Sequence, residues 1–122
     1  MNIRKPADYS VLFSELDNLM AAQLPQMELY CEIGRVVSGR AEKGAAVAAS
    51  EYLQITCPDA DGFSPRNLRR MRAFYATYEE SPEIMRLAME LGWTQNVAIL
   101  ERCGNNEERA WYIRAALRFG WK

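Results

Sequence analysis

The 122-residue sequence predicts an all-α fold. The pattern is that of a compact bundle of about six to seven helices with a helix-turn-helix-like segment. Three observations predict it. Ala, Leu, Glu, Met and Arg, all good helix formers, supply nearly half of the residues. No stretch alternates apolar and polar residues over a strand length, and no Asn-Gly or Asp-Gly step joins two such stretches into a hairpin. Ser, Asn, Pro and Gly punctuate the chain at helix-length intervals, where starts and stops belong.

The first helix is expected from Asp8 to Gln23, ending before Pro25. A second runs from Pro25 to Ser38 with Met27, Tyr30, Cys31 and Ile33 inward, and Gly39 ends it. After the polar turn Arg40 to Gly44, a third spans Ala45 to Ile55, its alanines permitting close helix approach. The loop Thr56 to Phe63 is rich in Pro, Asp and Gly. Ser64 then caps helix four with Pro65 at its first position, and Ser81-Pro82-Glu83 repeats the signal for helix five, ending near Gly92. Thr94 is the expected cap of helix six, Gln95 to Cys103, which Gly104 terminates. Asn105 with Glu108 resembles a capping box for helix seven, which closes at Gly120.

One domain over residues 1–122 is expected, an N-terminal helix over 1–24 followed by a body over 25–122. A chain of this size buries roughly two-thirds of its unfolded surface, enough for a core without staples. Histidine is absent, which excludes Ser-His-Asp and Cys-His catalysis, His-ligated metals and a switch near neutral pH. Cys31, Cys57 and Cys103 are odd in number and far apart, neither a zinc set nor a disulfide framework. They read as small buried apolar residues of a protein in the reducing cytoplasm. No apolar run has signal-peptide or membrane-spanning character. No cofactor or metal is expected: Glu79, Glu80 and Glu83 read as helix-end carboxylates.

The net charge of −1 hides a dipole. Residues 1–61 carry five basic and nine acidic side chains, and residues 62–122 carry ten basic and seven acidic. Twelve of the fifteen basic residues are arginine, whose planar fork suits phosphate, guanine edges and carboxylates. On a helical wheel of segment 64–78, Leu68, Met71, Phe74, Tyr75 and Tyr78 form one apolar stripe. Arg66, Arg69 and Arg70 fall opposite, beside Ala73 and Thr77, with Arg72 off to the side. Such a face, at a helix N-terminus with backbone N–H groups, suits phosphates or a major groove. The same pattern also describes a solvated face, one paired with the acidic N-terminal half of the molecule, or one that meets an acidic protein.

The residues from Leu29 onward resemble a known pattern. Its pieces are Leu29-Tyr30-x-x-Ile33-Gly34 and Gly62-Phe63-Ser64-x-x-Asn67-Leu68-x-x-Met71-Arg72-x-Phe74-Tyr75. Trp93-Thr94, Ile99-Leu100, Glu108-Arg109-x-Trp111-Tyr112-Ile113 and Gly120-Trp121 follow in order. In these the chain resembles the N-terminal helical domain of the YhcG-like family, in which such a domain precedes a PD-(D/E)XK nuclease domain. The resemblance implies an all-α module that serves DNA binding or assembly. The sequence ends about where the nuclease part would begin, and it holds no Glu-x-Lys pair, so catalysis is not carried over and no enzyme is expected. The family tends to have Pro-Trp-Ser-His where this chain reads Gly92-Trp93-Thr94-Gln95, and Gln95 cannot move a proton in that histidine's place.

Helix seven is apolar on two sides. Trp111, Tyr112, Ala115, Ala116 and Phe119 form one sector, and Ile113 and Leu117 another. A helix of that kind is either deep in the core or shared with a partner. Trp111, Ile113, Leu117 and Trp121 are the expected interface residues of a homo-oligomer. The leading functional expectation is a non-catalytic DNA-binding module using Arg66, Arg69 and Arg70, with Arg72, Ser64 and Asn67 as secondary contacts. The alternative is a protein-interaction module, an adaptor or inhibitor of a nuclease or other nucleic-acid machine, of phage or mobile-element origin. No membrane association is expected.

Overall fold

The computed structural model describes residues 8–41 and 44–120. They form seven α-helices: α1 Ser10–Ala21, α2 Gln26–Ser38, α3 Ala45–Thr56, α4 Pro65–Tyr78, α5 Pro82–Ala88, α6 Trp93–Arg102 and α7 Asn106–Phe119. No strand occurs among the described residues, so the fold is all-α.

The caps explain most boundaries. Ser64 Oγ accepts from the Asn67 N–H at 3.1 Å, and Pro65 sets the first helical φ of α4. Asn105 Oδ1 accepts from Glu108 N–H at 2.8 Å, and Gly120 ends α7 in the left-handed conformation at φ 65°. Two expected caps differ. Ser81 makes no side-chain bond, and Pro82 alone starts α5. Gly92, not Thr94, caps α6, because Gln95 Oε1 reaches back to accept from the Gly92 N–H at 3.3 Å. Helix α5 stops at Ala88, short of Gly92. Buried Asn96 of α6 holds the turn that follows, donating through Nδ2 to the carbonyls of Ala88 (2.9 Å) and Gly92 (3.0 Å).

Two apolar clusters make the core, and α4 runs through both. The first joins Leu12 and Leu16 of α1, Ile33 and Val37 of α2, Ala49 and Leu53 of α3, Phe63, and Leu68 and Met71 of α4. The second joins Phe74 and Tyr78 of α4 to Ala88, Leu91, Ile113 and Ala116. Trp93 packs against both, its ring edge-on to Tyr30 at 5.0 Å and to Phe74 at 6.0 Å. Each fully buried Leu, Met or Phe stabilises the fold by about 1.5–3 kcal/mol.

Helices α2, α3 and α4 each touch the other two, with α2 and α4 the closest pair. Gly34 makes that closeness possible, since a Cβ there would run into the backbone carbonyl of Met71. The loop between α3 and α4 is pinned from α3: Ser50 Oγ donates to the Phe63 carbonyl at 2.5 Å and Gln54 Nε2 to the same oxygen at 2.9 Å. Helix α1 docks on α3 through Phe13 stacked on Tyr52 (centroids 4.2 Å apart) and the Tyr52 hydroxyl on the Asp17 carboxylate (2.8 Å).

Cys103 is buried, Cys31 and Cys57 are half-buried, and all three are free thiols. Burial pushes the Cys31 and Cys103 thiols above their ordinary range, which disfavours the nucleophilic thiolate. No helix among the described residues is long and apolar enough to cross a membrane.

Candidate functional site

Helix α4 buries Leu68, Met71, Phe74 and Tyr78 and turns Arg66, Arg69 and Ala73 to solvent. Tyr75, expected in the buried stripe, is half-buried at the edge of the α2 contact. The three arginines do not stay equivalent. Arg66 and Arg69 are exposed and make no ion pair with any described residue. Arg70 leans toward α6, where its Nε (3.0 Å) and Nη2 (2.9 Å) both meet Glu101 Oε1. The pairing lies within the molecule, but its carboxylate comes from α6 in the basic half of the chain and not from the acidic N-terminal half expected to supply it. Arg72 is half-buried on the flank.

The two polar residues expected beside the arginines are already engaged. The Asn67 amide donates from Nδ2 to the Gly62 carbonyl at 2.6 Å, and its Oδ1 accepts the Trp93 indole N–H at 2.9 Å. Ser64 Oγ is spent on the cap. The expectation of several free N–H groups at the start of α4 is corrected in the same way. Pro65 has none and the Asn67 N–H is bonded to Ser64, which leaves the Arg66 N–H in the first turn. What this helix could offer an anion is therefore its guanidinium groups far more than its end. Glu101, whose carboxylate decides the fate of Arg70, lies 31 residues away in sequence, and no local pattern points to it.

Helix α7 resolves its two apolar sectors. Ile113 is fully buried in the second cluster, which corrects its expected interface role to core, and half-buried Leu117 packs against that cluster. The outward sector is Trp111, 60% exposed, with Tyr112 at 41% and Phe119 at 63%. Trp111 and Tyr112 stand edge-to-face with centroids 4.9 Å apart. Ala115, only 8% exposed, is the floor of a shallow depression lined also by Glu107, Trp111, Arg114, Arg118 and Phe119. Tyr112 turns the other way, over an open groove between α6 and α7 of about 370 Å³, lined by Ala98, Ile99, Arg102 and Cys103. Trp121 lies outside the described residues. Tyr112 and Phe119 are the surface residues missed as interface candidates, since a wheel shows two sectors without saying which one the core takes.

No group of three or more cysteine or carboxylate side chains among the described residues is placed to hold a metal ion.

A family model described as the DUF1016 N-terminal domain matches residues 15–122. The chain belongs to that family. This agrees with the resemblance to the N-terminal domain of the YhcG-like family, as distinct from its nuclease part. No curated protein and no solved structure matches the chain. In this DUF1016 N-terminal domain the residues of the resemblance largely meet one another: Tyr30, Gly62, Asn67 and Trp93 form one connected set, and Gly34 meets Met71. The motif therefore specifies how α2, α4 and α6 join. At the Gly92–Gln95 position, Gln95 serves as an α6 capping side chain.

Proposed function

We propose that this DUF1016 N-terminal domain is a non-catalytic DNA-binding module of the cytoplasm, in which Arg66 and Arg69 of α4 contact phosphates and groove edges. The observation that carries the reading is the pair itself: two exposed guanidinium groups about one turn apart, without acidic partners among the described residues, beside small Ala73. Their position in the first half of the third helix of the α2–α3–α4 unit suits a helix entering a groove by its N-terminal end. The chain's net charge of −1 limits this contact to a local one.

Fluorescence anisotropy of a labelled duplex against salt tests it. Binding should weaken steeply with salt, and replacing both Arg66 and Arg69 by Ala should lower the log–log slope by roughly 2. Arg70→Ala should change affinity much less, because Arg70 is held by Glu101. No anisotropy change at low salt, or an unchanged slope in the double variant, rejects the reading.

A second reading, a protein-interaction module such as a nuclease adaptor or inhibitor, is favoured by the exposed aromatics of α7. Salt-insensitive capture of a nuclease subunit by the wild-type domain, lost in Trp111→Ala, would select it over DNA binding.

A further inference from the structure

We propose that the outward face of α7 is a self-association surface, on which a second copy of this chain lays its own α7 antiparallel. Three of the large exposed hydrophobic side chains, Trp111, Tyr112 and Phe119, belong to this single helix. Exposed aromatic area concentrated in this way marks an interface. What identifies the occupant is the order of residues along the face.

Trp111 and Ala115 are one turn apart on the same ridge, a large knob beside a small, nearly buried floor. A two-fold axis at the level of Ile113 sets Trp111 over the partner's Ala115, and Ala115 under the partner's Trp111. Large meets small twice, as a self-complementary interface requires. The same operation aligns charge. Glu107 and Arg118 lie on one flank of the ridge, and both line the depression around Ala115. Turned about that axis, Glu107 comes level with the partner's Arg118, within about one residue of helix rise, and the pair occurs twice. Flanks on the same side face each other only when the helices run antiparallel. A parallel arrangement sets the two Glu107–Arg118 flanks on opposite sides of the seam, so neither pair forms. Ile113 takes no part, because it is fully buried in the domain's own core, and Leu117 packs toward that same core.

Sedimentation equilibrium from about 1 µM to about 1 mM covers the range of a small interface. The expected result is reversible association toward twice the 14.0 kDa chain mass. Trp111→Ala should raise the dimer dissociation constant at least about 30-fold with an unchanged helical circular dichroism spectrum. Glu107→Arg and Arg118→Glu should each weaken association, and the double exchange should restore it. A monomer throughout, a dimer indifferent to Trp111→Ala, or a double exchange no better than the single ones overturns the proposal. The Arg66 and Arg69 double Ala variant should dimerise like wild type, so this proposal and the DNA-binding reading fail separately.

Discussion

The indole N–H of Trp93 donates to the side-chain oxygen of Asn67 at 2.9 Å, joining residues 26 positions apart. Asn67 passes the connection on, through Nδ2, to the carbonyl of Gly62. One amide thus locks the start of α6, the first turn of α4 and the loop before it. Trp93 also touches both core clusters, so the bond sits at the seam between the two halves of the domain.

Asn67→Ala should therefore destabilise the domain by about 1–3 kcal/mol in urea unfolding, since two half-buried partners lose their bonds. Trp93→Phe keeps most of the ring and should cost about 1–2 kcal/mol. The double variant should lose less than the sum, by about 1 kcal/mol, because both changes break the same bond. Full additivity would mean that the Trp93–Asn67 bond carries no stability.

Gly34→Ala sets two effects against each other. Alanine within a helix gains about 1 kcal/mol over glycine. Here the new Cβ meets the Met71 backbone carbonyl, which no rotamer change relieves, with Tyr75 Cβ also 3.2 Å away. Overpacking of this kind costs about 1–3 kcal/mol or more, so a net loss is expected, read as a lower urea midpoint with an unchanged slope.

Tyr78 is fully buried, and its hydroxyl has no hydrogen-bond partner among the described residues. Burial is the main cause that pushes its phenol from 10.0 up to about 12. The folded state thus holds the proton more tightly than the unfolded state. Its contribution is fully present below pH 10 and is lost as pH rises toward 12. Tyr78→Phe removes an unsatisfied polar atom and should be neutral or stabilising at pH 7, with an alkaline unfolding midpoint higher than wild type. Loss of about 2 kcal/mol at pH 7 would instead reveal a hydrogen bond to that hydroxyl.

Arg70 and Glu101 form a surface pair, and Arg70→Ala should cost less than about 1 kcal/mol, shrinking further in high salt. A loss of several kcal/mol would show that this pair, rather than the Trp93–Asn67 bond, holds α4 to α6.

Asn105→Ala removes the acceptor for the Glu108 N–H at the start of α7 and should cost about 1 kcal/mol. If α7 pairs between copies, frayed first turns should also weaken dimerisation, since Glu107 lies in that turn.

The helices were legible in the chain because their signals are local. Ser64-Pro65, Pro82, Asn105 and Gly120 act on backbone groups within a turn of themselves, and the stripe Leu68, Met71, Phe74 and Tyr78 already names the buried side of α4. Three matters were decided only by tertiary structure. Asn67 and Ser64 look available to a ligand until Trp93, Gly62 and the α4 backbone use them. Arg70 looks equal to Arg66 and Arg69 until Glu101 arrives from α6. The two apolar sectors of α7 look alike until the second core cluster takes Ile113 and leaves Trp111 outside. Periodicity states which residues share a face; which face is covered, and which polar group finds a partner, depends on residues brought together from far along the chain.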